Sequence, residues 1–178
     1  MSEKLKQVIL KNALKNVVFD GWSEELFVNV IEESNVNFSK ALELFPRKSI
    51  DIAIYHHFHD DQKLYNIDSK ELVELRIRDR ISKLIMARIL IANQNKEAVK
   101  KSMAVFSLPF FFLDGKKMLQ STSDIIWKIV EQKEQVTNKF SKRISLMYLY
   151  STSLLFWVND ESADFKETQS FVERSVNN

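Results

Sequence analysis

The sequence predicts an all-α protein of about nine helices, with a small helix-turn-helix-like head and a larger helical bundle behind it. Three observations lead there. The 178 residues hold only two glycines and two prolines, too few for a sheet protein full of tight turns. Apolar residues recur at helical spacing along most of the chain. Serine, aspartate and asparagine stand at the starts of those periodic runs, where helices need side-chain caps.

Each element has its own signal. Leu5, Val8, Ile9 and Ala13 share a face of a first helix that runs to about Val18, where Asp20, Gly21 and Trp22 break it. Ser23 can cap a second helix faced by Phe27, Val30 and Ile31. Asn35 and Asn37 mark a turn. A short third helix follows through Phe38, Ala41, Leu42 and Phe45, and Pro46 stops it. Ser49 can cap a fourth helix with Ile50, Ala53, Ile54 and Phe58. The second and third helices have helix-turn-helix spacing, which places a head over 1–62 and a bundle over 63–178.

In the bundle, Asp68 or Ser69 can cap a long fifth helix carrying Leu72, Leu75, Ile81, Leu84, Ile85, Ile89 and Ala92. Asn95 starts a sixth through Val99, Met103 and Phe106, before the run Pro109–Leu113. Met118, Ile125, Ile126, Trp127 and Val130 belong to a seventh, whose start the periodicity leaves open. Thr137 or Asn138 opens an eighth reaching about Val158. Asp160 or Ser162 caps a ninth with Phe165, Phe171, Val172 and Val176.

Length and composition narrow the function. The chain can bury a core without staples. It has no cysteine, which removes disulfides and thiolate zinc sites. The formal charge is only +2, and acids outnumber bases up to Asp60, so the head lacks the positive surface that phosphate attraction requires. The N-terminal apolar residues are periodic, unlike a signal peptide. The most apolar stretches, around Phe110 and Leu154, are shorter than a membrane span. A soluble cytosolic or matrix-like location is expected.

No constellation calls for catalysis. His56, His57 and His59 are the only histidines. His56 and His59 share roughly one helical face beside Asp60 and Asp61, but zinc needs three or four convergent ligands. No Glu-x-x-His pair occurs, so Glu71, Glu74, Glu131 and Glu134 do not form a di-iron pattern. Glu32 and Glu33 diverge around their helix. Ser121, Ser123, Ser151 and Ser153 sit in no nucleophile elbow. Arg76, Arg78, Arg80, Lys83 and Arg88 read as a solvated basic face. The third helix offers DNA only Asn37, Ser39, Lys40 and Glu43. The reading is of a non-enzyme.

What the chain supplies instead is aromatic and apolar surface. Met103, Phe106, Phe110, Phe111, Phe112, Tyr148, Phe156 and Trp157 could wall a cavity for a greasy ligand or fill a core, and periodicity does not separate the two.

Several blocks in order carry a resemblance. They are Phe19-Asp20-Gly21-Trp22-Ser23, Leu44-Phe45-Pro46, Leu75-Arg76-Ile77-Arg78-Asp79-Arg80, Leu108-Pro109, Asp124-Ile125-Ile126-Trp127, Lys142-Arg143, Tyr150, Asp160-Glu161-Ser162 and Phe171-Val172-Glu173-Arg174. Over nearly the whole chain they resemble the ubiquinone-biosynthesis accessory family, lipid-binding proteins on the fold of TetR-type regulators. Two departures stand out. Lys139 replaces a large aromatic in the stretch Val136–Phe140. The chain given ends at Asn178, where some relatives continue into an amphipathic membrane helix, so membrane docking would need another surface.

The resemblance implies a homodimer that binds an isoprenoid lipid or quinone intermediate, with no other cofactor. It implies presentation of that ligand to demethoxyubiquinone hydroxylase, a di-iron enzyme, at a transient membrane surface. The cavity is expected around Met103, Phe106, Phe110, Tyr148 and Phe156. The partner patch is expected at Trp127, with Ser123, Ile126 and Val130 a turn away. A bacterial cytoplasmic location, peripheral to the inner membrane, is expected, with no specific DNA. The alternative on the same fold is a TetR-type regulator with an effector pocket. A plain dimeric packing module is a third.

Overall fold

The structure is a computed structural model that describes residues 2–67, 72, 74–131 and 139–177, with 139–141 as backbone only. Among these residues it is all-α. The helices are α1 (Ser2–Asp20), α2 (Glu24–Glu33), α3 (Phe38–Leu44), α4 (Ser49–Gln62), α5 (Ile77–Asn93), α6 (Lys96–Phe106), α7 (Phe112–Glu131), α8 (Lys139–Val158) and α9 (Lys166–Asn177). Short 3-10 turns lie at Lys63–Asn66 and Ala163–Phe165.

The chain forms two compact units. The first joins residues 1–59 with 95–115, and the second joins 60–94 with 116–178. The sequence had suggested a division at 62/63. The first unit thus also takes in α6 and the joint that follows it.

In the first unit the local chemistry of the head is simple. Gly21 ends α1 at φ +64, a left-handed conformation that costs glycine nothing, and its N–H donates to the Val17 carbonyl at 2.9 Å. Trp22 is buried and its indole N–H donates to the Ala98 carbonyl of α6 at 3.2 Å. Ser23 caps α2, its hydroxyl accepting from the Leu26 N–H at 3.1 Å. Leu26, Phe27, Val30 and Ile31 line the buried face of α2. Asn35 takes the turn at φ +51. Asn37 caps α3 by accepting from the N–H groups of Ser39 and Lys40 at 2.9 and 3.3 Å. Pro46 follows the last turn of α3 as its ring demands.

One expected cap and the course of one helix are corrected. Ser49 is the first residue of α4, and its hydroxyl donates to the Ser23 carbonyl. The reach back over the α4 N-terminus comes from Asp51, which accepts the Arg47 backbone N–H at 2.7 Å. The long fifth helix does not run through Leu75. The backbone turns at residues 74–75, and α5 starts at Ile77. Asp68, Ser69, Glu71, Glu134, Thr137 and Asn138 lie outside the described residues.

The second unit has an ionic centre that periodicity hid. Arg88 of α5 is buried, which corrects its place on a solvated basic face. Its Nε donates to Asp61 Oδ1 at 2.8 Å, and Asp61 also accepts from Thr122 at 2.8 Å and Ser121 at 3.2 Å. Asp60, equally buried, pairs with Lys63 at 2.7 Å and lies 3.8 Å from Arg88. Burial works against the Arg88 charge, but the Asp61 and Asp60 carboxylates beside it outweigh that cost and keep the guanidinium protonated. Burial pushes the Tyr150 phenol up to about 12, so it stays uncharged at neutral pH.

In the same unit Asp160 organises the entry to α9. One carboxylate oxygen accepts the Ser162 N–H at 2.8 Å, and the other accepts the Thr168 N–H at 2.8 Å and its hydroxyl at 2.5 Å. Burial opposes the charge of Asp160, but these donors prevail and hold its carboxyl well below the usual carboxylate range.

Candidate functional site

A groove of about 900 Å³ opens in the second unit among the described residues. Its walls come from four helices. The start of α5 gives Ile77, Arg78 and Ile81, and the end of α7 gives Trp127. The first turns of α8 give Lys142, Ile144, Ser145, Leu146, Tyr148, Leu149 and Thr152. The end of α9 gives Phe171, Ser175 and Val176. Most of these side chains are apolar or aromatic, and the polar ones are few. That is the make-up of a small-molecule site, and the volume lies in the range such sites occupy.

The polar groups of the groove are held in place. Lys142 Nζ lies 5.8 Å from the centroid of the Trp127 ring, within cation–π reach. The neighbouring Arg143 pairs with Asp124 of α7 at 3.4 Å. Arg78 Nη1 donates to the Asn177 carbonyl at 3.3 Å, joining the start of α5 to the end of α9. The Trp127 indole Nε1 is buried and has no hydrogen-bond partner among the described residues. Phe171 is supported from behind by Phe156, stacked at 4.6 Å with only 9° between the rings.

Residues 114–178 match the family model described as COQ9. Beyond that segment, "Ubiquinone biosynthesis protein coq9, mitochondrial" of Schizosaccharomyces pombe is 26% identical over 172 residues, covering 96% of this chain and 68% of that protein. "Ubiquinone biosynthesis protein COQ9, mitochondrial" of Homo sapiens is 22% identical over 183 residues, covering 98% of this chain and 57% of that protein. The chain is thus similar to COQ9 proteins along nearly its whole length. It spans somewhat more than half the length of the human COQ9 protein it matches. Among solved structures, a TetR transcriptional regulator from Nitrosomonas europaea superposes with a TM-score of 0.77 at 16% identity, covering 97% of this chain and 95% of that one. This likeness bears out the TetR-like, all-α fold.

The COQ9-like blocks acquire physical meaning in the second unit. Ile77 and Arg78 of the basic block, Trp127 of the α7 block, Lys142 of the pair that opens α8, and Phe171 of the closing block all line the one groove. The basic pair of α8 is explained by its two targets, Trp127 and Asp124, one turn apart on α7. The Asp160-Glu161-Ser162 joint is explained by the Asp160 carboxylate that caps α9.

The five residues expected around the ligand divide between the units. Tyr148 lines the groove, and Phe156 stacks on its wall. Met103, Phe106 and Phe110 belong to the first unit, where Met103 is half-buried, Phe106 buried and Phe110 exposed. Ile77, Ile81, Leu149 and Phe171 are wall residues that the sequence did not assign to a ligand.

The α7 quartet needs a correction. Trp127 is only 3% exposed, and Ser123, Ile126 and Val130 are buried with it. Helical phase sets all four on the inner face of α7, so they are core of the single chain rather than an outward anchor. Of the four, Trp127 reaches the groove.

The histidines have packing neighbours. His56 is buried with its ring 6.5 Å from Trp22, and His59 lies 6.1 Å from Tyr55. On α3, Lys40 pairs with Glu43, which takes up the one cation that helix offers.

Proposed function

We propose that this chain is a non-enzymatic accessory protein of ubiquinone biosynthesis, which holds an isoprenoid lipid or quinone precursor in the groove of its second unit. The observation that carries this reading is the convergence of the COQ9-like blocks on one apolar groove. The relatives' names point to the pathway, and the wall chemistry suits a long apolar ligand. Apolar walls select chain shape, while Lys142, Ser145 and Thr152 are placed to meet a polar or quinoid head.

In this role the protein presents the ligand to demethoxyubiquinone hydroxylase and works as a homodimer beside a membrane. The fitting location is the cytoplasmic side of a bacterial inner membrane. Among the described residues no helix is long and apolar enough to cross a membrane. A peripheral association is therefore the matching mode.

The test is native mass spectrometry of the purified protein, followed by solvent extraction and a binding measurement with the hydroxylase. Co-purified isoprenoid lipid and a specific complex with the hydroxylase are the expected results. Lipid-free protein that binds a specific duplex DNA tightly at moderate salt would replace this reading with that of a regulator.

A further inference from the structure

The joint between α6 and α7 is built as an apolar tip. Phe110 is 93% exposed, Leu113 68%, Phe112 58% and Leu108 50%. Four large apolar side chains so close in sequence are rarely left in water without a use. The backbone beneath them is well ordered by its own hydrogen bonds. Ser107, Leu108 and Phe111 donate to the carbonyls of Met103, Val105 and Leu108 at 3.1, 3.1 and 3.0 Å, and Pro109 has no N–H to satisfy. Phe111 alone turns inward, edge-on to Phe106 with centroids 6.4 Å apart. Gly115 lies so close to the end of α6 that a Cβ there would stand 3.0 Å from the Phe106 carbonyl oxygen. The display of Phe110 and Phe112 is thus fixed by the joint.

We propose that this tip inserts into the surface of an anionic lipid bilayer. Charge selects that occupant. Lys116 and Lys117 are exposed one turn beyond Phe112 and Leu113 on α7, so these two side chains each have a lysine behind them on the same face. The nearby acid Asp114 is engaged by Arg47 at 2.7 Å. Apolar side chains with lysines behind them form the pattern that enters the acyl boundary while its cations meet anionic headgroups. Area argues against a second copy of the chain. The exposed tip offers on the order of 500 Å², short of the roughly 800 Å² per partner of a standard protein interface. The tip would bring a lipid carrier to the membrane from which its ligand comes. In that purpose it extends the proposed function, although its own chemistry does not depend on the groove.

Flotation with phosphatidylcholine–phosphatidylglycerol vesicles and with pure phosphatidylcholine vesicles tests it. The native protein should float with the mixed vesicles, and the Phe110→Ser, Phe112→Ser double variant should bind them at least about 10-fold more weakly. Lys116→Gln with Lys117→Gln should lose about 5-fold or more on mixed vesicles and change little on neutral ones. Helicity, melting and extractable groove lipid should stay as in the native protein, which separates this idea from the ligand reading. Should the double variant unfold, the single Phe110→Ser change at the most exposed ring serves in its place. Equal flotation of native and variant protein, or no flotation of either, would overturn the proposal. So would loss of self-association in the variant with vesicle binding unchanged, since the tip would then belong to a dimer.

Discussion

Lys142 of α8 sits over the ring of Trp127 of α7, 5.8 Å from its centroid, at the wall of the second unit's groove. Trp127 is buried while Lys142 is exposed, so the pair joins core to groove mouth. Trp127→Ala should therefore destabilise the fold by about 3–5 kcal/mol, as loss of a buried indole does. Lys142→Gln should cost no more than about 1 kcal/mol, the scale of an exposed cation–π contact. Urea unfolding of both variants checks the difference. Equal and small losses would place Trp127 outside the core.

Arg88 and Asp61 give a second prediction. Removing one partner strands a buried charge, so Arg88→Met should cost about 3–5 kcal/mol. Adding Asp61→Leu should recover part of that loss, because the stranded carboxylate goes as well. A double-mutant cycle reads the coupling directly. Strict additivity of the two single losses would mean that the pair does not act as a unit.

The Asp160 carboxyl predicts a pH dependence. Its folded pKa lies below the ordinary value of 3.8. Its stabilisation is therefore complete above that value and fades as pH falls through the lower folded pKa. Asp160→Ala should destabilise by about 1–3 kcal/mol at neutral pH, the scale of hydrogen bonds to a buried charge. The gap between native and variant should narrow below pH 3.8. Chemical unfolding at neutral and acid pH measures both, and a gap constant with pH would contradict the assignment.

The head was legible because its signals are local. Gly21 for a left-handed stop, Ser23 and Asn37 for caps, and Pro46 for a terminator each act within a few residues. Arg88 was not legible as a core residue. It follows Arg76, Arg78, Arg80 and Lys83, and its partner Asp61 lies 27 positions away. Its phase with Leu84, Ile85 and Ala92 on α5 was the available clue. Phe110 and Tyr148 carry the same apolar signal in sequence, yet one is on an exposed tip and the other on a groove wall. Periodicity gives a face, and only packing tells whether that face meets core, ligand or solvent. For Trp127 the phase with Ile126 and Val130 already pointed inward.

The central claim is that the groove of the second unit holds lipid. Ser145 lines it from an exposed position on α8, so Ser145→Trp can fill the groove with little cost to the core. The decisive measurement compares lipid extracted from native and Ser145→Trp protein, purified side by side and matched for helicity and melting. The account predicts isoprenoid lipid in the native sample and a loss of at least about 10-fold in the variant, since the bulky ring displaces the ligand's apolar contacts. Equal lipid in both samples, or none in the native protein, would contradict it.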